Sequence, residues 1–308
     1  MSRLNYPLNC NTGVGNTGLP SCTINLERLT GLLLTFDGFK IPASSLTDFY
    51  TMFAYLQEAT LNTDPLMRIY PLNIIEGLTD NTAAPEKKMS GYGNTKGVTE
   101  HLHQFEVELE SHGIHFYKNL RKWNGRKNVR AYWVDKGFIG GYKDSNGDLQ
   151  PMELDIFFKQ VKPGNVADIT KYMCEVELKD EKALTDNLDG MAIPNGFKVK
   201  NEIFGLTDVE LSGTGGVLSA TVTGVLSISK EDFVRKFYGE LFANGPWVVD
   251  GVSKNPDSII NWNVLFTLTA GTHKIKLASP IILAENGIGS NTSGGYESNE
   301  ITVTVRAN

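Results

Sequence analysis

The chain has 308 residues, more than one hydrophobic core usually organises, so two domains are expected. Hydrophobic residues make up 41% and charged residues 21%, and the 31 glycines among many Thr, Val and Ile point to strands joined by tight turns. The net charge of −6 argues against a broad basic surface for gripping nucleic-acid phosphates, and no apolar run approaches the ~18–20 residues of a membrane-crossing helix.

Residues 1–22 read as an extended, irregular N-terminal arm in which Asn, Thr and Gly recur. Such a segment cannot bury enough apolar surface to order itself, so a neighbouring subunit is its expected support. Cys10 and Cys22 flank a Gly/Asn-rich stretch and could be paired. An odd, sparse set of three cysteines, with Cys174, fits a reduced compartment better. The N-terminus shows no apolar signal segment, and the chain is expected to stay in a cytoplasm until it assembles.

A strand is predicted over 24–36, with a turn at Asp37-Gly38. Ser44 or Ser45 is expected to cap a helix running to about Leu61, because Leu46, Phe49, Met52, Phe53 and Leu56 are spaced three and four apart. A strand over 66–76 is interrupted by Pro71. Residues 77–97 are polar and Gly-rich, long for a loop in a compact domain, and read as an assembly loop. Phe105, Val107 and Leu109 then alternate with Glu106, Glu108 and Glu110, the clearest half-buried strand in the chain.

A short helix over 115–123 stops at Asn124-Gly125. Strands follow over 129–135, 137–142, 154–161 and 172–178, with a hairpin turn at 144–148. A short helix is predicted over 180–188. Beyond Pro194-Asn195-Gly196 the pattern changes. Strands over 209–211 and 218–228 are joined by Gly213-Thr214-Gly215-Gly216, and a helix starts near Ser229. Further strands are expected over 247–249, 259–269, 273–277, 280–284 and 300–305. This spacing suggests an immunoglobulin-like sandwich of about 100 residues. The fold class expected is mainly β with a few short helices (α+β). The expected divisions are the arm 1–22, a β-rich domain with flanking helices over 23–198 and an immunoglobulin-like sandwich over 199–308.

Four histidines, His101, His103, His112 and His115, raise the question of a metal site. No zinc-ligand spacing supports one, and polar surface explains them better. Asp144-Ser145-Asn146-Gly147-Asp148 resembles the start of a calcium loop, but the glycine and the closing Glu153 fall at the wrong positions for an EF-hand. No phosphate-binding glycine loop, nucleophile elbow or catalytic-cysteine context occurs. Neither a cofactor, a metal nor an enzymatic activity is expected.

Lys118, Arg121, Lys122, Arg126, Lys127 and Arg130 form a dense basic patch, interleaved with Tyr117, Trp123, Tyr132 and Trp133. Contact with single-stranded nucleic acid is one reading. Pairing with the acidic strand of an adjacent subunit is another. A plainly solvated helix face is the third. Glu106, Glu108, Glu110, Lys118, Arg121 and Lys122 are the candidate interface or lumen residues.

The run Phe105-Glu106-Val107-Glu108-Leu109, the helix with Tyr117-Lys118-Asn119-Leu120, and Tyr132-Trp133-Val134-Asp135 with Gly137-Phe138-Ile139-Gly140 resemble virion proteins of the tail-tube type from tailed phages. Lys162-Pro163-Gly164-Asn165 and the strand to Glu177-Leu178 continue the likeness, which covers roughly 20–200 as a pattern of elements. The C-terminal part is similar to immunoglobulin-like domains appended to phage structural proteins. The resemblance implies a tail-tube-like β-sandwich or barrel over 23–198 and a subunit of a tail tube or tail ring. It would form homo-oligomers and contact other virion proteins. DNA would pass the Glu106–Glu110 face, with 77–97 and 1–22 reaching neighbours. It implies assembly in a host cytoplasm, residence in the virion and no membrane partner. The early helix and the large size depart from a minimal tube subunit, which leaves a capsid-decoration or other virion component open. A different reading is a carbohydrate- or protein-binding module in the C-terminal sandwich, with Trp247, Trp262, Tyr296 and the Gly-rich 286–295 loop lining the site.

Overall fold

The computed structural model describes residues 28–89, 95–164, 170–184, 187–243, 245–290 and 292–308. The protein is mainly β with a few short helices. It divides into two compact units, Met1–Leu56 with Leu66–Asn201, and Gln57–Pro65 with Glu202–Asn308. The expected N-terminal arm and the Cys10–Cys22 pairing lie outside the described residues.

The first unit begins with β1 (Leu29–Phe36), helix α1 (Phe49–Thr60) as far as Leu56, β2 (Tyr70–Leu72), β3 (Ile75–Asp80), β4 (Glu86–Met89) and β5 (Thr95–Thr99). Then come β6 (Gln104–Leu109), helix α2 (Ile114–Leu120), β7 (Val129–Asp135) and β8 (Phe138–Lys143). It ends with β9 (Leu149–Gln150), β10 (Met152–Phe158), β11 (Tyr172–Leu178) and β12 (Asp189–Ala192). Ten strands form one sheet along the path β12-β8-β7-β10-β11-β6-β3, with β1 pairing β7 and β2, and β9 pairing β8. The path stays open at its ends, so the expected barrel does not close among the described residues. Among the described residues β4 and β5 pair only with each other, so the described part of the expected assembly loop is largely strand.

Register explains the core. β11 lies between β10 and β6 with Val176 opposite both Ile156 and Phe105. Strict alternation then sends Leu154, Ile156, Phe158, Cys174, Val107 and Leu109 to one buried face. Full burial of a side chain such as Phe158 stabilises the unit by about 1.5–3 kcal/mol. Burial also pushes the Cys174 thiol up to about 12. Helix α2 closes this core with Tyr117, whose hydroxyl lies 2.8 Å from the Lys159 carbonyl oxygen and 2.5 Å from that of Met173.

Several boundaries differ from the sequence reading for local reasons. Helix α1 starts at Phe49 because Asp48, rather than Ser44 or Ser45, caps it: its Oδ1 accepts from the Tyr50 and Thr51 amides at 2.9 and 3.1 Å. Ser44 and Ser45 belong to a separate turn of 3-10 helix. The strand expected over 66–76 is split into β2 and β3. The helix expected over 180–188 is a turn over 181–184, because Asp180 accepts from the Lys182 amide and the Asn187 side chain and bends the chain back.

The second unit has β13 (Leu206–Gly215), β14 (Ser219–Leu226), helix α3 (Phe233–Lys236), β15 (Trp247–Val249) and β16 (Val252–Ser253). It continues with β17 (Ser258–Ile260), β18 (Asn263–Thr267) and β19 (Gly271–Leu277). Helix α4 (Pro280–Glu285), β20 (Gly295–Ser298) and β21 (Ile301–Val305) complete it. A sheet β17-β18-β14-β13-β20 and a sheet β16-β15-β19-β21 share one core containing Val222, Phe266, Trp247, Ile275 and Val303.

Three expectations fail here. The strand predicted over 280–284 is helix α4, because Ser279 caps the Ile282 amide and Pro280 occupies the first turn. The predicted strand over 259–269 is broken by a turn at Asn261-Trp262. Gly213 and Gly215 lie in β13 rather than in a turn. A Cβ on Gly215 would meet the Thr304 carbonyl oxygen at 1.8 Å, so glycine serves close approach to β21.

The β15–β16 hairpin turns on Asp250-Gly251, with φ of 51° and 81°. Asp250 accepts from His273 Nδ1 at 2.7 Å and from the Lys274 amide at 2.8 Å. His273 Nε2 faces the Thr269 carbonyl oxygen at 2.9 Å. Both ring nitrogens face acceptors, so the charged imidazolium is favoured. The hydrogen bond to Asp250, followed by that to Thr269, raises the His273 pKa above its ordinary 6.5. A raised folded value gives stability that is complete below the unfolded pKa and is lost as pH rises through the folded one. Stability should therefore fall as pH is raised above 6.5, by less than about 1 kcal/mol because Asp250 is half exposed, and the melting temperature should fall with it. His273→Gln should flatten that slope in a calorimetric pH series.

Candidate functional site

The carboxylates of β6 stand on the outer face of the first unit, as the alternation requires. They are not bare. Lys159 Nζ contacts Glu106 at 2.7 Å and Glu175 at 2.8 Å. Lys171 reaches Glu108 at 3.2 Å, and Lys200 reaches Glu110 at 3.0 Å. Lys179 pairs with Glu177 at 2.9 Å and also with Asp155. Hydrogen bonds to these carboxylates raise the Lys159 and Lys179 pKa values, and Lys200 lowers that of Glu110. Each pair is partly exposed and contributes about 0–1 kcal/mol. The acidic strand is therefore a ladder of alternating charge, with Phe157 half exposed among Asp155, Glu175 and Glu177.

The basic segment contrasts with this ladder. Lys118, Arg121, Lys122, Arg126 and Lys127 are all exposed. No ion pair is found for Lys118, Arg121, Lys122 or Lys127 among the described residues. Arg126 lies over Trp123 at 5.2 Å and Phe36 at 5.8 Å, while Arg130 is held by Asp37 at 3.1 Å. Tyr117 rests on the inner face, against Phe158 and Tyr172, so α2 and Glu106–Glu110 occupy opposite faces of the same part of the sheet. Tyr117, Tyr132 and Trp133 are buried, and Trp123 stacks on Phe36 at 5.4 Å. None of these four rings forms an open platform for a nucleic-acid base.

The other motifs resolve into local structure. His103 stacks on Phe105 at 6.0 Å, and His112 lies 3.4 Å from Glu110. No group of three metal-ligating side chains gathers among the described residues. In the 144–148 turn, Asp144 accepts from the Asn146 and Asp148 amides and from Gln150, while Asp148 pairs with Lys40 at 2.6 Å.

In the second unit, two of the three aromatics expected to line a binding site are packed inward. Trp247 is fully buried against Phe266, and Tyr296 packs on Phe233 and Phe237. Trp262 is different: it is 43% exposed. It occupies the second position of the two-residue turn between β17 and β18, with Ile260 opposite Asn263. Asn261 and Trp262 have φ of 51° and 63°, the left-handed pair of a type I′ turn. Asn suits the first position, but the second strongly favours glycine, as Gly251 illustrates in the other hairpin. A bulky side chain there costs about 1–2 kcal/mol.

The strained indole borders a recess of about 380 Å³ lined by Arg235, Tyr238, Ile259, Asn261 and Trp262. The rings of Tyr238 and Trp262 stand at 88° with centroids 5.8 Å apart, and the Arg235 guanidinium lies 5.8 Å from the indole centre. Phe242 extends the aromatic surface from Tyr238 at 5.7 Å. Sequence reasoning found Trp262 but missed Arg235, Tyr238 and Asn261. The available signal was Asn-Trp-Asn between two apolar runs, which is a hairpin turn when two strands are assumed instead of one.

No protein-family model and no curated protein matches the sequence. Among solved structures, the chain is similar to the Bacteroides ovatus mixed-linkage glucan utilization locus protein SGBP-B in complex with mixed-linkage heptasaccharide. The identity is 11%, the match covers 91% of this chain and 61% of that one, and the TM-score is 0.18. The chain thus spans less than two thirds of that protein, and a score this low does not establish a shared fold.

Trp262→Gly restores the favoured Asn-Gly pair of a type I′ turn. The substitution should raise stability by about 0.5–1 kcal/mol, seen as a rise of a few degrees in a thermal melt.

Proposed function

We propose that this chain is a non-enzymatic structural subunit that acts by assembling with copies of itself. The observation that carries the reading is the β4–β5 ribbon, which pairs with no other strand among the described residues. An isolated two-stranded hairpin is marginal in water and gains stability when a further surface covers it. A neighbouring subunit supplies such a surface. Lys118, Arg121, Lys122 and Lys127, in no ion pair among the described residues, offer the same neighbour a second contact, since complementary charge fixes register in repeated interfaces.

The specific form proposed is a tail-tube or tail-ring subunit of a tailed-phage virion, assembled in the host cytoplasm, with the second unit as an appended immunoglobulin-like domain. The sequence resemblance over 20–200 supports this choice, and a capsid-decoration role is its rival. In a tube the Glu106–Glu110 ladder would line the passage as a near-neutral wall, because its lysines travel with it.

Electron microscopy of the concentrated protein should show rings or tubes with a central opening. The ribbon can be removed cleanly, because the Asn81 amide donates to the Gln104 carbonyl at its base at 2.8 Å. Replacing residues 84–102 by a short Gly/Ser linker should keep the melting temperature within about 2 °C while abolishing assembly. A full chain that is monomeric at all concentrations, or a ribbon-less variant that assembles equally well, would overturn the proposal.

A further inference from the structure

We propose that the recess around Trp262 is a saccharide-binding site, independent of the assembly role. Three observations converge on it. The first is the placement of tryptophan at a left-handed turn position, where the same unit uses glycine in its other two-residue hairpin. Leu218 also has a positive φ, of 48°, but its amide donates to Arg306 and its carbonyl accepts from Leu268, both at 3.0 Å, which holds that position in place. No such bonds from Trp262 are found among the described residues. Strain that the backbone does not require is explained by what the side chain does.

The second observation is exposure. Trp262, Tyr238 and Phe242 are 43%, 45% and 37% exposed and form one continuous aromatic surface. The third is the set of polar groups on its border. The Arg235 guanidinium, the Tyr238 hydroxyl and the Asn261 amide side chain have no hydrogen-bond partner among the described residues. Arg235 donates through its backbone amide to Asp232 at 2.9 Å, and its guanidinium touches only the Trp262 ring face among the described residues.

This combination selects the ligand class. A pyranose offers apolar C–H faces to aromatic rings and hydroxyls to surrounding donors and acceptors. An apolar peptide anchor would bury the guanidinium, hydroxyl and amide without partners, at about 1–3 kcal/mol for each. A saccharide satisfies them. The free guanidinium further favours a sugar bearing a carboxylate, which accepts a two-pronged hydrogen bond.

The test uses the full chain on an array of neutral and uronate-containing oligosaccharides. The best-retained oligosaccharide is then titrated against tryptophan fluorescence. Trp262 is the most exposed of the four tryptophans, so binding should shift the emission and shield it from acrylamide. Trp262→Gly should weaken binding at least tenfold while keeping or raising the melting temperature, which separates lost contact from lost folding. Arg235→Gln should weaken uronate binding at least tenfold and neutral binding less. A blank array, or unchanged affinity in Trp262→Gly, would overturn the proposal. Concentration-dependent self-association that disappears in Trp262→Gly, without sugar binding, would instead make the recess a contact between copies and also overturn it. Rings or tubes that persist in Trp262→Gly leave the assembly reading standing whichever way the sugar result falls.

Discussion

The first unit depends on the register of β11 between β10 and β6. With Val176 opposite Ile156 and Phe105, the alternating apolar side chains of the three strands point inward, Phe157 and Met173 excepted. A slip of one residue would exchange the faces. Phe158, Cys174 and Val107 would meet water, and Glu106, Glu175 and Asp155 would enter the core. The cost of burying those carboxylates far exceeds the value of any surface ion pair. The lysine pairs are thus a consequence of correct register more than its cause. Tyr117 adds a lock from the inner side, since its hydroxyl bridges the ends of β10 and β11.

This arrangement changes the electrostatic reading of the unit. The chain is acidic overall, yet its most regular acidic strand is matched by lysines, while Lys118, Arg121, Lys122 and Lys127 around α2 are in no ion pair among the described residues. Charge alone therefore does not mark the outer face as a repulsive wall. What distinguishes the two faces is that one is internally satisfied and the other, around α2, carries cations still open to a partner.

The β6 alternation, the closing strand β21 and the apolar stripe of α1 were legible in the sequence because each is a local pattern with its own period. The ladder was not legible, because its lysines lie 53, 63 and 90 residues from Glu106, Glu108 and Glu110. Helix α4 was missed although Ser279-Pro280 is a helix-start signal, since five apolar residues in a row read equally well as a strand. The recess was half legible. Trp262 stood out as an aromatic, but Trp247 and Tyr296 did too, and only burial separates core rings from exposed ones. Its turn carries tryptophan where the usual signal is glycine, so the feature that makes the hairpin interesting also hid it.

The close approach of Gly215 to Thr304 bears on when the protein becomes competent to act. β13 pairs in parallel with β20, Leu206 opposite Gly295, so the first strand of the second unit waits for partners 89 residues later. At ribosomal speeds of about 5–20 residues per second, that delay is roughly 4–18 s. During this interval β13 and β14 can form a hairpin but not a finished sheet, whereas the strands of the first unit are already complete. Synthesis thus imposes an order of maturation, in which the first unit is finished while the unit bearing Trp262 is still missing an edge.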